Sequence, residues 1–189
     1  MAPVVEPSRM VGVWIQTGLL YLFLASLLYF LIRVKRLSVN SALMGCLAFL
    51  GTKCLYFSNG GLSDFRMDLS LYLGFGMTCV WYLASMKSLM RWHFVMLGVS
   101  AAICCLFRAT APIYFLFTLC PLYFLELIRS DGRKEKLTGI LVSFGVVLVL
   151  AGWFYFFNFE FLKFYYFDWN TDANAVSYTH LTLPTIYSV

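Results

Sequence analysis

Apolar runs of membrane-spanning length, separated by short charged clusters, constrain this chain more than any other feature of its sequence. Hydropathy read against helix breakers gives candidate spans at about 11–32, 41–57, 69–86, 92–107, 109–128 and 137–158. About 18 consecutive apolar residues are what a helix needs to cross a hydrocarbon layer. Composition points the same way. Of the residues, 61% are hydrophobic and 12% charged, against about 45–50% and about 25% in an average soluble domain, so too few polar side chains exist to cover a water-exposed surface. The expected fold class is all-α: a polytopic transmembrane helical bundle with about six spans. The fourth and fifth runs form one apolar stretch interrupted by Arg108-Ala-Thr-Ala-Pro112. A single helix of that length would overshoot a hydrocarbon core of about 30 Å, so a tight turn is expected there.

The connections carry alternating charge. Arg33, Lys35 and Arg36 follow the first run, Lys87 and Arg91 the third, and the segment 129–136 the fifth. Acidic residues and a lone arginine occupy the others: Asp64, Arg66 and Asp68, then Arg108. By the positive-inside rule the basic connections are cytoplasmic, and the 59–68 loop, the Arg108 turn and the segment after Asn158 lie outside. The net charge of +5 therefore reads as a topology signal, and membrane lipid, not nucleic acid, is the expected partner. The start of the chain also falls outside, without a cleavable signal peptide. That fits a truncated fragment with Met1 an internal methionine; a true N-out protein is the alternative.

The last residues break the pattern. Val176 to Thr185, Val-Ser-Tyr-Thr-His-Leu-Thr-Leu-Pro-Thr, resembles the in-frame translation of a sequencing adapter. Residues 1–175 are thus expected to be a transmembrane domain fragment, and 176–189 a non-native tail in which His180 carries no role. The six cysteines lie in or beside apolar segments with no CxxC spacing, which speaks against a zinc site or a disulfide framework. His93, next to Arg91 and Trp92, is expected at the inner interface.

The residues best placed for chemistry lie on the outer side. In Ser58-Asn-Gly-Gly-Leu-Ser-Asp64-Phe-Arg66-Met-Asp68 a glycine turn leads into two carboxylates and a guanidinium. With a helix starting near Ser63, Asp64 and Asp68 would share a face at i, i+4. Such a pair can act as a general base or hold a divalent cation, and Arg66 can grip a phosphate. Acidic residues are equally favoured as caps at a helix start, so both readings stand. Arg108 interrupts an apolar stretch, and a charge at membrane depth costs at least about 2.5 kcal/mol unless it gains a partner or ligand. Lys53, in the last turns of the second expected span, could join Arg66 and Arg108 in a cationic pocket for a lipid-linked phosphate. Snorkelling of Lys53 and Arg108 to the interface is the structural alternative. The aromatic-rich segment 159–169 reads as an amphipathic interfacial helix. Soluble-enzyme motifs such as GxSxG, HExxH or a phosphate-binding glycine loop do not occur in the sequence.

Gly60-Gly-Leu-Ser-Asp-Phe-Arg-Met-Asp68, the apolar helix after it, Trp92 with Gly98, and Leu106-Phe-Arg108-Ala-Thr110 with Ile113-Tyr114 resemble multi-span glycosyltransferases. The likeness is to bacterial relatives of the protein O-mannosyltransferases in the GT-C superfamily, over roughly residues 60–114. It implies a polyprenyl-phosphate-linked sugar as donor, hexosyl transfer at the extracytoplasmic face of a bacterial inner membrane, and an outer-loop carboxylate as base or metal ligand. On that reading Asp64 and Asp68 are the catalytic candidates, and Arg66, Arg108 and Lys53 bind the substrate phosphate. The metal requirement stays open. The family's acidic motif after its first helix is not in this sequence, so the fragment alone is expected to be inactive. A transporter would need charges along a mid-membrane pathway and repeat symmetry. A polysaccharide polymerase or ligase would need a large outer loop rich in arginine and histidine. A non-catalytic multi-span protein would leave Asp64 and Arg108 in separate regions.

Overall fold

Inside a hydrocarbon layer each backbone N–H and C=O has to be satisfied by the chain itself, and a helix does so locally. The structure, a computed structural model, describes residues 7–52, 55, 67–88, 90–129 and 132–164. It is all-α, with no strand among those residues. The unit ending at Ala151 contains α1 (Pro7–Tyr29), α2 (Val39–Leu50), α3 (Met67–Lys87), α4 (Arg91–Phe107), α5 (Ala111–Arg129) and α6 (Arg133–Val147). A π-helical turn, Phe30–Val34, prolongs α1.

Four helical segments are long and apolar enough to cross a membrane: Met10–Val34, Leu69–Lys87, Ala111–Arg129 and Arg133–Phe157. The chain is therefore a multi-span membrane protein. Two further apolar helices are shorter, α2 and α4. The 12 residues of α2 rise roughly 18 Å at 1.5 Å each, short of the hydrocarbon thickness. Its start is fixed by Ser38, whose Oγ accepts the Ser41 N–H at 3.2 Å, and it ends at Leu50 with Gly51 as the cap. Pro112 sits in the first turn of α5, where a missing N–H costs nothing. Pro121 falls inside α5 and removes one ladder bond.

The contacts define direction. Phe23 meets Gly76, Ser26 accepts the Trp81 indole N–H at 3.2 Å, and Tyr29 stacks on Trp81, so α1 and α3 run parallel. α4 returns antiparallel to α3, with Cys104 Sγ 3.9 Å from the Leu71 carbonyl oxygen. α6 runs with α4: Gly139 abuts the Phe94 ring, and Gly98 abuts Ser143 and Val146. α5 runs with α3, pairing Phe75 with Phe115 and Tyr82 with Tyr123. The connections after α1, α3 and α5, which carry the basic clusters, consequently gather at one end of this unit. The α4–α5 break lies at the other.

Glycines bring α4 and α6 close together. A Cβ on Gly98 would lie 2.6 Å from the Ser143 carbonyl oxygen, and one on Gly139 would lie 2.5 Å from the Phe94 ring. Small residues are what let helix backbones meet where lipid supplies no hydrophobic drive. Ser143 Oγ sits in that crossing, 2.7 Å from the Phe94 carbonyl oxygen and 3.1 Å from that of Gly139. Other hydroxyls bond back to their own helix, as Thr17 does to Val13, Thr78 to Gly74 and Thr118 to Tyr114, which removes their desolvation cost. Leu73, Met77, Trp81, Ala84 and Leu97 form the buried centre on α3 and α4. Phe117, Phe124 and Leu141 stay exposed on α5 and α6, as a lipid-facing surface allows.

The unit that begins at Gly152 contains α7 (Trp153–Phe157) and α8 (Phe159–Lys163). Asn158 joins them, donating its side-chain Nδ2–H to the Phe154 carbonyl at 2.8 Å while its own carbonyl accepts the Leu162 N–H at 2.9 Å. The described part of the expected interfacial segment is helical to Lys163 and exposes Phe159 and Phe161 alongside Glu160 and Lys163. Residues 165–189, the adapter-like tail included, lie outside the described residues.

Candidate functional site

At the end of the bundle away from the basic connections, the antiparallel α3–α4 hairpin brings two of the sequence candidates to one level. Leu71 and Cys104 face each other across the hairpin. Asp68 lies in the first turn of α3, about one turn beyond Leu71, and Arg108 lies about one turn beyond Cys104. Arg108 caps α4: its N–H donates to the Cys104 carbonyl at 3.0 Å. Its backbone turns extended (φ −144, ψ 117), and that breaks the apolar stretch. The Arg108 side chain is exposed.

Buried polar atoms at this end add a second observation. Ser70 is fully buried in α3, and Thr110 follows the α4 cap. Ser70 Oγ and Thr110 Oγ1 are both buried without a hydrogen-bond partner among the described residues. Such groups are uncommon and call for an explanation in a ligand, a water or a neighbouring segment.

The remaining candidates are not brought together by the described structure. Asp64, Arg66 and Lys53 lie outside the described residues. The described part of α3 starts at Met67, so the i, i+4 relation between Asp64 and Asp68 lies outside them as well. α2, the helix of the second expected span, ends at Leu50 with Gly51 as its cap. Among the described residues no group of three or more His, Cys, Asp or Glu side chains could hold a metal ion.

The opposite end holds a site that the sequence reading passed over. A cavity of about 630 Å³ is lined by Arg33, Arg36, Lys87, Tyr29, Trp92 and His93, among others. Its floor is aromatic. His93 is 1% exposed, with the rings of Tyr29, Trp81 and Trp92 at centroid distances of 5.9, 5.9 and 4.4 Å. His93 Nδ1 is 3.1 Å from the Ser88 carbonyl oxygen. Because a carbonyl only accepts, Nδ1 carries the hydrogen on that side, and Nε2 hydrogen-bonds the Tyr29 hydroxyl 3.1 Å away.

The rim of the cavity is cationic, and its backbone is unusual. The π turn ends with Lys35 N–H on the Phe30 carbonyl at 2.9 Å, and Leu37 N–H bonds the Leu31 carbonyl at 3.0 Å. Between them Arg36 adopts φ 57, the left-handed position that glycine normally fills after a helix. A side chain there costs roughly 1–2 kcal/mol. Arg33, Arg36 and Lys87 have no salt-bridge partner among the described residues. Nearby charge does pair elsewhere at this end: Lys136, almost fully buried, bonds Glu126.

The sequence signal for this cavity was the triplet Arg91-Trp-His93 close to Lys87, together with the Arg33–Arg36 cluster. Each reads by itself as a topology signal, and only the α1–α3 parallel packing shows that they share a wall. No protein-family model, curated protein or solved structure matches the chain.

Proposed function

We propose that this chain is part of a membrane glycosyltransferase that takes a sugar from a polyprenyl-phosphate donor at the membrane face opposite the basic connections. One observation carries the reading: Asp68 at the start of α3 and Arg108 at the end of α4 occupy the same end of one hairpin. The hydroxyls of Ser70 and Thr110 at that end, buried without a hydrogen-bond partner among the described residues, fit a polar ligand. The resemblance of residues 60–114 to the GT-C enzymes supplies the reaction class.

In that reaction the acceptor hydroxyl oxygen attacks the anomeric carbon, and the bond from that carbon to the phosphate oxygen breaks. A carboxylate, Asp68 or Asp64, takes the hydroxyl proton. The polyprenyl phosphate leaves with the bonding electron pair, and Arg108, with Arg66 and Lys53, stabilises its charge. A divalent cation bound by the carboxylates would serve the same end.

The test is binding, because it does not require a complete active site. The purified chain, reconstituted in vesicles, is titrated with a radiolabelled polyprenyl-phosphate hexose. Arg108→Gln should weaken binding roughly 10- to 100-fold, the value of a charge-assisted hydrogen bond of about 1.5–3 kcal/mol. Equal binding by wild type, Arg108→Gln and Asp68→Asn would refute the reading.

A further inference from the structure

We infer that the basic, aromatic-floored cavity between the end of α1 and the start of α4 binds the phosphate of an anionic phospholipid headgroup. The inference does not rest on the proposed transferase activity, whose candidates lie at the other end of the bundle.

Charge decides the ligand's sign. Arg33, Arg36 and Lys87 line the cavity without salt-bridge partners among the described residues, and planar guanidinium groups suit phosphate oxygens. Depth decides its source. The cavity lies where the spanning segments Met10–Val34 and Leu69–Lys87 end, the level at which headgroups meet protein, and Tyr29 and Trp92 are the residue types that settle there. Size agrees: about 630 Å³ falls within the range of roughly 300–1,000 Å³ typical of small-ligand sites. The floor is held in place by the Tyr29–His93–Ser88 hydrogen bonds and the indole rings around them.

Arg36 supplies an independent argument. It holds the left-handed backbone position after the π turn at φ 57, where glycine would fit without strain. Strain of this kind persists where a side chain is needed. Substitution by glycine therefore separates two roles: it relieves the backbone while removing the cation.

The experiment uses the full chain in neutral maltoside micelles, with retained lipid counted by native mass spectrometry. Dioleoyl phosphatidylglycerol should be retained in preference to dioleoyl phosphatidylcholine. Arg36→Gly should weaken phosphatidylglycerol binding roughly fivefold, the effect of one basic residue at an anionic surface, while the lipid-free unfolding midpoint stays level or rises. Arg33→Gln should give a similar loss. Arg129→Gln, a like charge change at the same end but outside the cavity, should change binding less than about twofold. The inference is overturned if Arg129→Gln loses as much as Arg36→Gly, if phosphatidylcholine is retained equally, or if millimolar inorganic phosphate displaces phosphatidylglycerol completely. The last result would assign the cavity to a soluble phosphate.

Discussion

Replacing Gly98 by alanine perturbs the α4–α6 crossing in a way the geometry makes calculable. The new Cβ would lie 2.6 Å from the Ser143 carbonyl oxygen and 2.7 Å from Val146 Cβ. Ordinary contact begins at 3.4 Å, so the helices must separate by about 0.8 Å. That carbonyl is fixed in the helix ladder and has no rotamer by which to escape. The same retreat would stretch the Ser143-to-Phe94 hydrogen bond from 2.7 Å to about 3.5 Å, beyond useful length. Overpacking of this kind costs about 1–3 kcal/mol, and an interhelical hydrogen bond in a membrane averages about 0.6 kcal/mol. Against this, alanine is favoured over glycine in a helix by about 0.8–1 kcal/mol. The net expectation is a loss of about 0.6–2.8 kcal/mol. Gly145→Ala on α6, where a Cβ meets nothing within 4 Å, gives the propensity gain without the clash and should stabilise by about 0.5–1 kcal/mol. Equilibrium unfolding in micelles, followed by far-ultraviolet circular dichroism, compares the two. If Gly98→Ala is as stable as Gly145→Ala, the close α4–α6 packing described above is wrong.

The remaining predictions concern the basic end. Glu126→Gln leaves Lys136, whose side chain is 10% exposed, without its anion; since the Glu126 side chain is itself 36% exposed, the cost should be about 1–2 kcal/mol. The double variant Glu126→Gln/Lys136→Gln should recover most of that loss in the same unfolding assay, and a strictly additive double variant would rule out direct pairing. Tyr29→Phe removes the hydroxyl that His93 Nε2 meets and keeps the ring stacked on Trp81. It should cost about 0.5–1.5 kcal/mol and shift the His93 ring nitrogen resonances, whereas unchanged nitrogen spectra would contradict the hydrogen bond.

The fold class was legible because the solvent dictates it. Runs such as 11–32 and 137–158 have no use in a soluble domain, and in lipid a helix alone satisfies their backbone. The break before Pro112 was legible for a related reason: an arginine and a proline interrupt a run too long for one span, and α4 ends at Phe107 while α5 starts at Ala111. Packing was not legible. That Gly98 and Gly139 mark a helix crossing, while Gly145 meets nothing, depends on which faces meet, and glycine alone does not say so. The end of α2 was read too late, since apolar residues continue past Gly51 and hydropathy counts them without weighing the cap. Of the candidate site, Arg108 and Asp68 could be placed at one end from the alternation of helices. The cavity at the other end was hidden because Arg33 and Arg36 follow α1 while Lys87 and His93 flank the α3–α4 connection, and a basic loop looks the same whether it merely orients a chain or lines a pocket. Arg36 in a glycine position is a backbone fact that no composition reveals.

An up-and-down bundle whose basic connections share one side of a membrane underlies both proposed sites. Single cysteines introduced into a cysteine-free chain at Leu37, Met90 and Ala109, in sealed oriented vesicles, test this with a membrane-impermeant maleimide. Leu37→Cys and Met90→Cys should label from one side only, and Ala109→Cys only from the opposite side. Labelling of Ala109→Cys from the same side as Met90→Cys would contradict the topology on which both proposed sites depend.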